Sequence, residues 1–92
     1  MNETIYKYPL PLDNLSIIDM PTGAHVLCVQ VQNDIPCLWA IVDPQQPLER
    51  RPFRLSGTGH LLALDVGASR YIGTFQLNNG SFIGHVFEPK GR

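Results

Sequence analysis

The sequence is short of charge, of cysteine and of any long apolar run. Charged residues make up 16% of its 92 positions and the formal net charge is -1, which argues against non-specific binding to nucleic acid, since that depends on neutralising many phosphates with Lys and Arg. No stretch approaches the roughly 18 apolar residues that span a bilayer, and Met1 to Tyr8 lack the basic start and apolar run of a secretory signal. The expectation is a cytosolic protein with no membrane partner. Its two cysteines, Cys28 and Cys37, are then reduced thiols. Without His or Cys partners at ligand spacing they make no zinc site and read as core residues.

Helical periodicity is missing too. Eight prolines and eight glycines punctuate the 92 residues and interrupt every window that would otherwise build a long helix. A chain of this length supports a single core, so residues 1–92 read as one domain. The segments that remain are strands: Thr4 to Tyr8, Leu15 to Asp19, His25 to Gln32, Ile35 to Val42, Arg51 to Leu55, Arg70 to Leu77 and Phe82 to Phe87. About seven short strands with turn residues between them predict an all-β fold, a small antiparallel β-sandwich or a partly open barrel. Leu61 to Ala68 fits a helical turn, an irregular strand or a buried loop, and is assigned mainly to loop.

Two hairpins carry register information. Asn33-Asp34 tolerates left-handed backbone and suits a two-residue turn, which sets Gln32 opposite Ile35, Gln30 opposite Cys37 and Cys28 opposite Trp39. The two cysteines then sit diagonally on one face, disfavouring a disulfide, and Pro36 belongs near a strand start or an edge. Asn79-Gly80 is the preferred pair for a type I′ turn and sets Leu77 opposite Phe82, Phe75 opposite Gly84 and Gly73 opposite Val86. That register predicts a core face of Tyr71, Gly73, Phe75, Leu77, Phe82, Gly84 and Val86. The other face carries Thr74 across from His85, with Ile72, Gln76, Ile83 and Phe87 nearby, and reads either as a contact surface or as a second packed layer.

Charge, backbone freedom and a titratable ring converge only in Glu49 to His60. Gly57-Thr58-Gly59 beside Arg50, Arg51 and Arg54 would suit a phosphate or nucleotide, yet no Lys-Ser or Lys-Thr follows and no third glycine stands at fingerprint spacing. The plainer reading is a strand ending in a glycine bend. His25, His60 and His85 and the hydroxyls and thiols of Ser56, Thr58, Cys28 and Cys37 form no local nucleophile-and-base motif, so the expectation is a protein that is not an enzyme, with no cofactor. Most aromatic residues must fill the core. Tyr6, Tyr8 and Phe53 are the expected surface exceptions, because Tyr6-Lys7-Tyr8 suits a terminal edge strand open to a partner chain.

Several segments together resemble a family of small proteins encoded by bacteriophages and prophages: Ile5 to Leu10, Pro36 to Ala40 with Val42-Asp43-Pro44, Phe53-Arg54 with Gly57 to His60, and Tyr71 to Leu77 with His85 to Glu88. The resemblance covers about residues 4 to 88 and brings no activity, cofactor or catalytic residue with it. It implies a setting, the host cytoplasm. There an accessory protein without enzymatic motifs acts by stoichiometric binding, inhibiting a CRISPR complex or another antiviral defence protein, or capturing a nucleotide immune signal. The expected binding residues are Arg50, Arg51, Arg54, Thr58, His60, Tyr6 and Tyr8, in a homo-oligomer. The alternative is a virion or assembly component.

Overall fold

The computed structural model describes residues 2–90. It contains seven strands, β1 (Thr4–Pro9), β2 (Leu15–Pro21), β3 (His25–Gln32), β4 (Ile35–Val42), β5 (Leu48–Gly57), β6 (Ser69–Leu77) and β7 (Phe82–Pro89), and no α-helix among the described residues. All pairings are antiparallel, in a three-stranded sheet of order β1-β4-β3 and a four-stranded sheet of order β2-β5-β7-β6. The two sheets form a sandwich with open edges at β1 and β2. Its extents of 41 × 33 × 16 Å describe a plate two sheets thick, as expected when sheets pack about 10 Å apart.

Alternation along the strands builds the core. Val26, Val29, Leu38, Ala40 and Val42 point inward from the smaller sheet and meet Met20, Phe53, Leu55, Phe75, Leu77 and Val86 of the larger one in one contiguous cluster. Both predicted hairpin registers are present, Gln32 to Ile35 and Cys28 to Trp39 in one, Leu77 to Phe82 and Phe75 to Gly84 in the other. The backbone explains why. Asn33 and Asp34 have φ of 52° and 64°, and Asn79 and Gly80 have 56° and 87°, the left-handed pair that a type I′ turn requires to match strand twist. Pro36 lies just beyond the last β1 partner of β4, and Pro52 two residues before the first β5 residue paired with β7, Arg54. Neither proline therefore removes a hydrogen bond from those ladders.

Two β-bulges set which side chains face inward, and the second overturns part of the sequence reading. The first lies between Val26 and Cys28 and leaves Leu27 and Val31 exposed while Val26 and Val29 are buried. The second lies between Tyr71 and Gly73. An extra residue on one strand inverts the face of everything beyond it, so Ile72 enters the core and Tyr71, expected inside, is 56% exposed. Phe53, expected at the surface, is 1% exposed, because it shares the inward parity of Leu55. The strand that holds it begins at Leu48 rather than Arg51. Leu61 to Ala68 is a surface loop, not a buried one. Leu61 is 96% exposed, and only Val66–Ala68 forms a short 3-10 turn, capped by the Asp65 carboxylate, which accepts from the Gly67 amide at 3.1 Å.

The sheets are tied together where β3 runs beside β6. A Cβ on Gly73 would lie 2.9 Å from Val29 Cγ1, so the absence of a side chain there is what lets the two strands approach. Arg70 donates from Nη2 to the Val26 carbonyl at 2.6 Å, satisfying a backbone acceptor at the bulge. Arg51 does the same for the Ala24 carbonyl at 2.9 Å.

Candidate functional site

The parity of β5 sorts the arginines of the charged segment. Phe53 and Leu55 point inward, and Arg51 shares their side of the strand. Its guanidinium grips Glu88 in a two-pronged pair, Nε to Oε2 at 2.5 Å and Nη2 to Oε1 at 3.1 Å, with Glu49 at 3.5 Å from Nη1. The hydrogen bond to Glu88 holds the Arg51 pKa above its ordinary value, against the opposing effect of burial. Arg51 is thus occupied as a structural tie on the inward side of the strand. Arg50 and Arg54 alternate to the outer face, Arg50 across from Asp19 and Arg54 across from Leu15 on one side and Phe87 on the other.

At the end of β5 the chain turns through Gly57 to His60. The His60 amide donates to the Gly57 carbonyl at 3.1 Å, and Gly59 takes φ +87°, the left-handed third position at which such turns favour glycine. The turn is fixed to β7 by the Thr58 amide, which donates to the Ile83 carbonyl at 3.1 Å. Gly57-Thr58-Gly59 is therefore a strand-ending bend, from which Thr58 reaches the outer face while His60 lies over the inward side of the strand end. The His60 ring folds over Gly57, where an added Cβ would lie 2.9 Å from it. The Thr58 hydroxyl reaches His85 Nε2 at 2.6 Å.

Thr58 begins a chain of hydrogen bonds across three strands. His85 is held on its other side by Thr74, Oγ1 to Nδ1 at 2.9 Å, and Thr74 in turn meets the Tyr71 hydroxyl. A neutral imidazole has one donor and one acceptor nitrogen, so the chain has two polarities. In one, Thr58 donates to His85 and offers lone pairs outward. In the other, Tyr71 donates to Thr74, Thr74 to His85 and His85 to Thr58, and the Thr58 hydrogen is free for a ligand acceptor. Tyr71 joins this chain because the bulge turns it outward, where its ring also packs on Phe87 with centroids 5.5 Å apart and planes at 58°.

Two adjoining hollows lie around the end of β5, the first bordered also by the core residue Leu55. One, about 170 Å³, is lined by Asn14, Arg54, Ser56 and His60 with Leu61 and Leu64. The other, about 260 Å³, is walled by Thr58, His60, Leu62, His85 and Phe87. Ser56 and His60 border both. Among the described residues the only ion pairs are those of Arg51 with Glu49 and Glu88, so the half-buried Arg54 has no carboxylate partner. No three His, Cys, Asp or Glu side chains gather to hold a metal ion among the described residues.

Of the residues singled out in the sequence, Arg54, Thr58 and His60 come together. Arg50 shares the face but lines neither hollow. Tyr6 and Tyr8 stand on β1, at the edge of the other sheet, opposite Ala40 and Leu38. Tyr6 is exposed, and Tyr8 is half-buried against the core. Lys7, between them, points to the outer face and donates to Gln32 Oε1 at 2.6 Å. Thr74 opposite His85 follows the predicted register, while Asn14, Leu62 and Tyr71 carried no signal as site residues in the sequence and Ser56 stood there only as a hydroxyl without a neighbouring base.

Over residues 1–92 the chain belongs to the family described as a domain of unknown function, DUF7352. No curated protein and no solved structure matches it.

Proposed function

We propose that this DUF7352 domain is a stoichiometric binding protein, not an enzyme, and that it captures a small anionic ligand on the outer face of the β2-β5-β7-β6 sheet. The observation that carries the reading is Arg54, a half-buried guanidinium without a carboxylate partner among the described residues, in a hollow with Asn14, Ser56 and His60. A guanidinium fork in a concave seat pairs readily with phosphate or carboxylate oxygens. Catalysis is disfavoured by the same geometry. Both ring nitrogens of His85 are engaged by threonine hydroxyls, and among the described residues no carboxylate stands behind the ring to stabilise an imidazolium.

The setting comes from the resemblance to small bacteriophage proteins. In that setting the domain works in the host cytoplasm and interferes with an antiviral defence system by sequestering its nucleotide signal. A host defence protein is the other target class, for which the free edge of β1 with Tyr6 supplies a pairing surface. The alternative role, a virion or assembly component, needs self-association. It is favoured by one feature, the exposed Leu15 and Ile17 on edge strand β2 with the exposed Leu48 at the far end of the same strand pair, which is also where a homo-oligomer would form.

The test is titration of the protein with inorganic phosphate and pyrophosphate, followed by backbone amide NMR. Saturable shifts confined to Asn14, Arg54 to His60 and Leu61 are expected, lost in Arg54→Gln, with the ligand recovered unchanged. Absence of saturable shifts, combined with recovery of the protein in assembled particles, would replace this reading with the structural one.

A further inference from the structure

We propose that the anion seat at Arg54 continues into a seat for a flat ring, so that the ligand is a small nucleotide whose phosphate meets Arg54 and whose base lies against Phe87 and Tyr71. This rests on the anion-binding reading of the same face. The register sets Arg54, Phe87 and Tyr71 in one row across β5, β7 and β6. Two strand spacings separate the ends of that row, about 10 Å, which is the reach of a nucleoside monophosphate from phosphate to base.

Three further observations point to a base. Tyr71 is a large ring 56% exposed that a bulge has turned outward, and bulges re-aim side chains in this way beside binding sites. Its tilted packing on Phe87 fixes the pair in advance, so little side-chain entropy is lost when a third ring joins it. Exposed aromatic rings on the open face of a four-stranded sheet are a recurrent platform for stacked bases. The edge of such a base needs hydrogen-bonding partners, and Thr58 is one whose donor or acceptor sense is set through His85, Thr74 and Tyr71. Leu62 and Phe87 supply the apolar wall of the hollow beside it.

Charge limits the size of the ligand. The chain has a net charge of -1, and on this face Arg50 stands opposite Asp19. A nucleic-acid strand, which needs a series of phosphate contacts, is not matched by that distribution. A mononucleotide or cyclic dinucleotide is.

Calorimetric titration with inorganic phosphate, ribose phosphate, adenosine monophosphate and a single-stranded oligoadenylate tests the assignment. Adenosine monophosphate is expected to bind roughly ten- to a hundredfold tighter than ribose phosphate, the increment that stacking one base contributes. Tyr71→Ala removes most of that factor, Tyr71→Phe retains the part that stacking contributes while losing the hydroxyl that orients Thr74 and Thr58, and Arg54→Gln weakens all the small ligands together. Equal affinities for phosphate, ribose phosphate and the nucleotide would overturn the ring seat while leaving the anion seat standing. No binding by any of them would remove both. Oligoadenylate binding far tighter than the mononucleotide, with a steep salt dependence, would overturn the assignment of a small ligand.

Discussion

Arg51 separates a structural arginine from a binding one, and its loss has a calculable size. Arg51→Ala deletes two charge-assisted hydrogen bonds to Glu88 and one to the Ala24 carbonyl, and it leaves the Glu88 carboxylate without its cation. Removing one member of a buried pair costs about 3–5 kcal/mol. The two side chains retain 16% and 11% exposure, so water partly screens the orphaned charge and the low end, about 3 kcal/mol, is expected. Against a total stability of about 5–14 kcal/mol for a chain of this length, that is a large fraction. The melting temperature should fall by roughly 12–24 °C. Urea denaturation is the more direct assay, because a shift in midpoint at unchanged slope isolates stability. The paired replacement Arg51→Met with Glu88→Leu should recover most of the loss, since it removes both charges at once. A loss below about 1 kcal/mol in Arg51→Ala, or a double variant no more stable than the single one, would refute the argument that this pair is a structural tie between β5 and β7.

Two other perturbations probe different parts of the fold. Gly73→Ala places a methyl 2.9 Å from Val29 Cγ1 and should cost about 1–3 kcal/mol by overpacking, with the penalty reduced when Val29→Ala is present as well, as a double-mutant cycle by denaturation would measure. The Tyr8 phenol is pushed above its ordinary pKa, first by burial and then by Tyr6. The unfolded chain therefore loses this proton at lower pH than the folded one. The contribution of Tyr8 is complete below the unfolded value of about 10 and declines as pH rises through the folded one, so alkaline unfolding curves of Tyr8→Phe should fall less steeply than those of the parent.

The hairpins were legible in the sequence because their information is local. Asn33-Asp34 and Asn79-Gly80 set left-handed turns, and a two-residue turn dictates every pair that follows it until something inserts a residue. The bulges are that interruption, and their causes lie outside the strands that carry them. Val26 departs from regular pairing where Arg70, 44 residues away, accepts the task of bonding its carbonyl. Tyr71 turns outward where β6 must press Gly73 against Val29 of the other sheet. Neither event leaves a mark on the local pattern of apolar residues, so Tyr71 and Ile72 exchange faces without warning. The arginines show the same division. Alternation along β5 separates Arg51 from Arg50 and Arg54 once the strand is granted, but only the fold reveals that Glu88 waits 37 residues on for one of them. Arg54 stands out on the outer face because nothing comparable waits for it. The bulge then decides what lies beside it: without the inserted residue Tyr71 would be in the core, the row from Arg54 through Phe87 would end at an aliphatic side chain, and the relay through Thr74 and His85 would lose its outer hydroxyl. Tyr71, the aromatic part of the candidate site that sequence reasoning missed, is therefore created where the two sheets meet, while Asn14 and Leu62 come from loops that only the fold brings to the end of β5.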